Sequence, residues 1–167
     1  MLDGIRIKPI KPLLDERGYF CEVMRKDWKD LFGDDTVVQA NHSFTYPDVI
    51  RAWHRHLRGQ VDYFLALKGT IKICAFDDKT AELNEVVSSS SDLQVVRIPG
   101  HYWHGFKAVG IESAMLLYFT TNLYDPADPD EERRPWNDPT LIPKIVNGKK
   151  NDSRVGKIWD WNYPPHK

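Results

Sequence analysis

The sequence lacks several features that would assign it to a specialised class of protein. It has only two cysteines, Cys21 and Cys74, which stand too far apart for a cysteine metal motif and are too few for a disulfide framework. No apolar run is long enough for a membrane span or a signal peptide. Lys and Arg number 23 against 24 for Asp and Glu, which leaves no excess of basic residues for nucleic acid. We therefore expect a cytoplasmic protein with free thiols that binds neither membranes nor nucleic acid.

A long amphipathic helix is also absent, and many short strand-like segments separated by turn residues take its place. This pattern predicts an all-β fold, a cupin-like double-stranded β-helix that closes into a jelly-roll barrel around a ligand cavity. A chain of 167 residues is long enough for one domain with a real core, so we expect a single domain over residues 1–167. Residues 144–167 are predicted to form a short irregular or helical C-terminal tail with weak packing.

Polar residues that are costly to bury cluster in the middle of the chain. His54 and His56 lie two positions apart in a predicted strand, so both imidazoles point to one face, whereas the neighbouring side chains point to the other. A Gly-containing turn follows. We expect the segments on either side of it, residues 49–56 and 61–67, to pair as a hairpin, which would return Asp62 to the face of the two imidazoles. This grouping predicts a functional site in the barrel.

Six motifs occur in a fixed order along residues 1–143. They are Asp15-Glu16-Arg17-Gly18-Tyr19-Phe20 followed by Glu22, Gln39-x-Asn41-x-Ser43, Val49-Ile50-Arg51-Ala52-Trp53-His54, Ile98-Pro99 followed by His104-Gly105-Phe106, Tyr118 with Tyr124 six residues later, and Trp136-Asn137-Asp138-Pro139. Together they resemble the dTDP-4-dehydrorhamnose 3,5-epimerase family, whose members invert carbons beside the keto group of a sugar nucleotide.

The resemblance implies an activity and a role for each matching residue. His54 matches the family's catalytic base, Asp138 the carboxylate that supports this base, and Tyr124 the acid that returns a proton to the opposite face of the sugar ring. The residues that we expect to bind the substrate are Arg17, Phe20, Glu22, Gln39, Asn41, Arg51, His56, Asp62, His104 and Tyr118. The implied substrate is a nucleotide-linked 4-keto deoxysugar of surface-polysaccharide or modified-sugar synthesis. The implied assembly is a homodimer whose N-terminal strand completes the partner's site, and no cofactor is implied.

Three positions depart from the family pattern. Asp62 stands where the family has a Lys that stabilises the enolate, His56 stands in place of a Gln, and Ala52 in place of a Gly. The same changes create a pattern similar to the metal-binding motifs of other cupins, with His54, His56, Asp62 and His104 as the alternative ligands of a divalent ion. We expect instead that Asp62 pairs directly with an imidazole, most simply that of His56.

Two other functions therefore remain open beside the epimerase. One is a metal-dependent cupin enzyme that acts on a sugar or a small acid. The other is a sugar-nucleotide binding protein that has lost the chemistry of the family together with its Lys.

Overall fold

A computed structural model describes residues 1–162 of the chain. It contains one short helix and thirteen strands in the described part. The helix α1 spans Lys29–Phe32. The strands are β1 Arg6–Pro9, β2 Leu13–Asp15, β3 Gly18–Phe20, β4 Gln39–Thr45, β5 Ile50–Arg55, β6 Val61–Lys68, β7 Thr70–Asp77, β8 Glu82–Ser89, β9 Gln94–Pro99, β10 Trp103–Val109, β11 Ala114–Thr120, β12 Glu132–Arg133 and β13 Ile145–Val146. Among these residues no helix has the length and apolar character that a membrane span requires.

Most of the strands form two large sheets. The five-stranded sheet has the order β1-β9-β6-β11-β4, and the six-stranded sheet has the order β12-β5-β10-β7-β8-β13. All pairs within them are antiparallel except β13 with β8. The all-β prediction is therefore confirmed. Pro9 ends the edge strand β1, a place where a missing backbone N–H does not break the sheet.

Apolar side chains from the inner faces of both sheets pack against each other and form the central core. Phe64 and Leu116 of the five-stranded sheet belong to the same buried cluster as Ile73 and Phe106 of the six-stranded sheet. The outer face of the five-stranded sheet is covered by α1, whose Leu31 and Phe32 are buried. Because β6 is covered on both faces, its sequence is a nearly continuous apolar run rather than an alternating pattern.

The structure contradicts the predicted hairpin of β5 and β6. These consecutive strands lie in different sheets, and β5 pairs instead with β10 and β12. The intervening turn contains Gly59, whose φ of 79° suits glycine, and it carries the chain from one sheet to the other. Asp62 consequently approaches the histidines from the opposite wall of the barrel rather than from a neighbouring strand.

The prediction of a weakly packed C-terminal tail is also wrong for the residues that the structure describes. Trp159 and Trp161 are buried in a third apolar cluster on the outer face of the six-stranded sheet, and the ring of Trp161 lies 4.8 Å from that of Trp53. Between residues 144 and 162 the chain is irregular and forms no helix, with β13 as its one short strand. The remainder of the predicted tail, residues 163–167, lies outside the described residues.

Candidate active site

The register of the six-stranded sheet brings two histidines side by side. His54 of β5 lies opposite His104 of β10 and opposite Arg133 of β12, and the rings of His54 and His104 are 4.2 Å apart. The side chain of Trp53 is buried on the outer face of the same sheet, as the alternation in β5 predicts. The imidazoles therefore face the interior of the barrel.

Two glycines leave room for this arrangement. A Cβ atom on Gly105 would come within 2.4 Å of the Cβ of Ala52 and 2.5 Å of the carbonyl oxygen of Arg51, so only glycine lets β10 approach β5 so closely after His104. A Cβ atom on Gly100 would lie 2.4 Å from the carbonyl oxygen of Gln60 and 3.0 Å from His56. Both glycines belong to segments in which the sequence showed motif residues, but their steric role became visible only in the fold.

Asp62 reaches the histidines from the inner face of β6. Its Oδ2 lies 3.0 Å from Nε2 of His104 and 3.6 Å from Nε2 of His56. A direct contact between Asp62 and an imidazole was expected and is present, but the closer imidazole is that of His104 rather than that of His56. The amide of Gln60 donates to Asp62 Oδ1 over 2.8 Å and also lies 3.1 Å from His56 Nε2.

Burial and neighbouring charges set the protonation of this group. Burial lowers the pKa of His54 well below its usual value, and the nearby His104 lowers it further, so His54 is neutral at neutral pH. Burial opposes the charged form of Asp62, yet the hydrogen bonds with His104 and His56 outweigh it and hold the pKa of Asp62 below its usual range. For His56, burial favours the neutral form, but the contact with Asp62 outweighs it and raises the pKa.

Two adjoining cavities open beside the histidines, with volumes of about 360 and 420 Å³. Both are bounded by His54, Asp62 and Tyr118. The first extends along the ends of β4 and β6, and its further lining includes Gln39, Asn41, His56, Gln60, Thr120 and Tyr124. The second extends over the barrel interior, and its further lining includes Ser43, Arg51, Phe64, Phe106, Leu116 and Arg134. Most of the predicted site residues of one chain therefore line these two adjoining cavities.

The two predicted tyrosines occupy different depths. Tyr118 is half-buried, and burial followed by the charges of Asp62 and Glu131 raises the pKa of its phenol. Tyr124 is 61% exposed at the rim of the first cavity. Its backbone N–H donates to Gln39 Oε1 over 2.9 Å, while the Gln39 amide donates to Asn41 over 2.8 Å. The rim is therefore tied to the inner surface of β4.

The expected pair of His54 and Asp138 is not formed. The carboxylate of Asp138 accepts hydrogen bonds from the backbone N–H and the hydroxyl of Thr140 at 2.8 and 2.7 Å, and Arg134 lies 3.8 Å from it. Asp138 makes no ion pair with His54 within the described chain. Local turn geometry explains the difference, because an Asp in such a turn accepts hydrogen bonds from the residue two positions on.

Three other predicted residues lie away from both cavities of their own chain. Arg17 and Phe20 belong to the exposed two-stranded β2–β3 hairpin, where Arg17 pairs with Asp15 at 2.5 Å. Glu22 follows the hairpin and pairs with Arg25 at 2.6 Å. The hairpin is joined to neither large sheet.

Sequence reasoning missed three residues that surround the histidines. Gln60 contacts both His56 and Asp62, and its position two residues before Asp62 was the available signal, because alternate residues share a face. Glu131 and Arg133 line both cavities and pair with each other at 2.5 Å. They lie in and beside β12, after the acidic, proline-containing segment that follows β11. No local pattern showed that β12 would add to β5.

The same histidines and Asp62 are the residues best placed to hold a metal ion. His54, His56, Asp62 and His104 each offer one donor atom, and these four atoms lie within 4.8 Å of one another. Three of the four residues are buried and His54 is partly exposed to the cavities. The four ligands of the alternative metal pattern are therefore close together.

Comparison with known proteins gives a consistent picture. The profile of the dTDP-4-dehydrorhamnose 3,5-epimerase family matches residues 1–155. A probable low-salt glycan biosynthesis epimerase, Agl13 of Haloferax volcanii, is 44% identical over 81% of this chain and 89% of its own length. The spore coat polysaccharide biosynthesis protein SpsL of Bacillus subtilis is 34% identical over 84% of this chain and 94% of its own length.

A solved structure supports the fold. The dTDP-6-deoxy-D-glucose-3,5-epimerase RmlC of Legionella pneumophila, in complex with dTDP-4-keto-L-rhamnose, is similar with a TM-score of 0.74 and 26% identity over 84% of this chain and 77% of that chain. The cupin-like jelly roll predicted from the sequence is confirmed by this similarity.

Proposed function

Because the chain belongs to the dTDP-4-dehydrorhamnose 3,5-epimerase family, we propose that it inverts C3, C5 or both in a nucleotide-linked 4-keto deoxysugar. The reaction removes a proton from a carbon beside the keto group and returns a proton to the opposite face. The relatives named for glycan and spore coat polysaccharide synthesis support a place in surface-polysaccharide synthesis.

The observation that carries this proposal is the position of His54. Its ring borders both cavities, and it makes no side-chain hydrogen bond with the residues that the structure describes. Because burial and His104 lower its pKa, the ring is unprotonated at neutral pH and can accept a proton. His54 is therefore the base in our mechanism. Asp138, which does not contact it, has no direct part.

The acid in this mechanism is Tyr124 at the rim of the first cavity. A phenol hydroxyl can donate a proton to the face of the sugar opposite the base. Its backbone is fixed by Gln39, so substrate contacts at the amides of Gln39 and Asn41 would also position Tyr124. Tyr118 lies between the two cavities and serves as a wall against which the sugar ring packs.

The nucleotide requires groups from more than one element. Arg51 borders the second cavity, where its Nε donates to the Thr45 hydroxyl over 3.1 Å and its Nη2 to the Phe44 carbonyl over 3.4 Å. We propose that Arg17, Phe20 and Glu22 act in the site of a second copy in a homodimer, since their hairpin projects from the barrel and leaves Leu14 and Phe20 79% and 65% exposed. An aromatic ring suits a nucleobase and a guanidinium suits a diphosphate.

Hydrogen exchange tests the proposal directly. The protein is incubated in D2O with a dTDP-linked 4-keto-6-deoxy sugar, and the incorporation of deuterium at C3 and C5 is followed by NMR. We expect incorporation at one or both carbons with inversion. Tight binding of the sugar nucleotide without exchange would favour the non-catalytic binding protein instead.

A further inference from the structure

The group formed by His56, Asp62 and His104 is not needed for the proton transfers described above. The three side chains come from two facing sheets and are only 8%, 2% and 0% exposed. A carboxylate buried to this degree is costly unless a cation compensates it. None of the ion pairs made by Asp62 within residues 1–162 involves Lys or Arg, because its partners are the two imidazoles.

Hydrogen bonds fix which nitrogen of each ring faces the carboxylate. Nδ1 of His56 lies 2.5 Å from the carbonyl oxygen of Asp130, and Nδ1 of His104 lies 2.8 Å from that of Tyr102. A carbonyl oxygen only accepts hydrogen bonds, so both Nδ1 atoms carry hydrogen. Nε2 is then the nitrogen of each ring that faces Asp62, and it donates to the carboxylate from a protonated ring or offers a lone pair from a neutral ring. This is the arrangement that second-shell carbonyls impose on histidines that bind metals.

The Gln60 amide adds a further polar contact to Asp62 and His56. One atom of this amide contacts both Asp62 Oδ1 and His56 Nε2, at 2.8 and 3.1 Å. A carboxylate accepts hydrogen bonds only, so the shared atom is the NH2 group, which can donate to His56 Nε2 when that ring is neutral. At His104 an Nε2 atom lies 3.0 Å from the same carboxylate. A protonated imidazole, or a metal ion held between these atoms, would supply the positive charge that the buried carboxylate needs.

We propose that His56, Asp62 and His104 bind one divalent first-row transition-metal ion. Bonds of about 2.1 Å place neighbouring donors about 3.0 Å apart in octahedral geometry and about 3.4 Å apart in tetrahedral geometry. The Asp62 Oδ2 atom lies 3.0 and 3.6 Å from the two imidazole nitrogens. Two His and one carboxylate, with open positions on one side, suit zinc, manganese, iron or cobalt. His54 stays unbound, which keeps its lone pair for the substrate.

The catalytic consequence of this site rests on the proposed epimerase function, whereas metal binding itself does not. Asp62 occupies the position that the resemblance gives to an enolate-stabilising Lys, and it borders both cavities beside His54. A metal ion there would polarise the keto oxygen of the sugar and so supply the positive charge that this chain lacks.

Metal content is measured on protein produced without an affinity tag and without added chelator. We expect about one equivalent of a transition metal per chain by mass spectrometry with inductively coupled plasma. After removal of the metal, Co²⁺ is titrated and its visible absorption followed, with Zn²⁺ and Mn²⁺ as competitors. If the native protein contains no metal and also fails to bind Co²⁺, Zn²⁺ and Mn²⁺, the proposal is wrong, and no variant is needed to show it.

Variants locate the ion. We expect Asp62→Asn and His56→Gln each to weaken Co²⁺ binding at least tenfold, and we expect His42→Gln, at an exposed position of β4, to leave it unchanged. If Asp62→Asn does not fold, as judged by circular dichroism, His56→Gln alone decides. Equal affinity in His56→Gln and His42→Gln would place the metal elsewhere and refute the assignment.

Deuterium exchange on the same samples separates this proposal from the epimerase function. Metal binding without exchange into the 4-keto sugar leaves the metal site standing and refutes the epimerase. Exchange at full rate in metal-free protein supports the epimerase and refutes the role of the metal.

Discussion

Replacement of His54 by Gln tests the base of the proposed reaction most directly. Gln preserves a polar side chain of similar size but cannot take a proton from carbon. A general base contributes about two to four orders of magnitude to a rate. At 1.36 kcal/mol for each factor of ten, its loss raises the activation free energy by about 3–5 kcal/mol.

The structure predicts that this loss is catalytic rather than structural. The His54 ring makes no side-chain hydrogen bond with the described residues and borders open cavities on two sides, so no buried partner is left unsatisfied in the variant. We therefore expect the free energy of unfolding to fall by no more than about 1 kcal/mol, and the melting temperature by no more than about 4 °C.

The assay follows the rate of deuterium incorporation at C3 and C5 of the sugar nucleotide together with the rate of inversion. Matched measurements on His42→Gln, which changes an exposed histidine of β4, should give the rate of the unchanged protein. If His54→Gln retains a rate within tenfold of that control, His54 is not the base. A loss of rate accompanied by unfolding would instead show that the ring is needed for the fold.

Three further changes probe other parts of the structure. Tyr124→Phe should preserve hydrogen exchange at the carbon deprotonated by His54 but slow inversion by at least tenfold. The measurement is the ratio of exchanged to inverted sugar, and an unchanged ratio would exclude Tyr124 as the acid. Asp138→Asn should slow turnover by less than tenfold, because Asp138 bonds with Thr140 rather than with the base, and a loss as large as that of His54→Gln would contradict the geometry. Trp161→Ala should reduce the free energy of unfolding by about 3–5 kcal/mol in a urea titration, because its buried ring packs on the six-stranded sheet. A reduction below about 1 kcal/mol would mean that the C-terminal segment is not part of the core.

The sequence was sufficient to predict local structure wherever alternation alone determines it. The predicted strand segments 49–56 and 61–67 agree within one residue at each end with β5 and β6, and the opposite orientations of His54 and Trp53 follow from the period of two. The pairing of strands is a different problem. The turn with Gly59 can either close a hairpin or cross between sheets, and the choice depends on the packing of both sheets rather than on the turn.

Errors at the chain's C-terminal end have a similar physical origin. Trp159 and Trp161 lie in a segment without periodic apolar positions, so the spacing of apolar residues could not predict that this segment is buried. The motif around Asp138 was recognisable, but the direction of its carboxylate depends on Thr140 two residues later. Residues of β12 reach the site only because this short strand adds to the edge of β5, a long-range contact that leaves no local signature.

Asp62, at the position where the resemblance implies a Lys, has an electrostatic consequence that the rest of the site must balance. Two unit charges about 4 Å apart interact by about 4 kcal/mol at an effective dielectric constant of 20. Exchanging a cation for an anion beside a developing enolate therefore disfavours it by about 8 kcal/mol, and two positive charges are needed to restore the balance. Two imidazolium rings would supply them, and each would donate its Nε2 hydrogen to Asp62. The divalent ion proposed above would supply the same charge at one point held by Asp62, His56 and His104, and would leave the neighbouring His54 free for proton transfer.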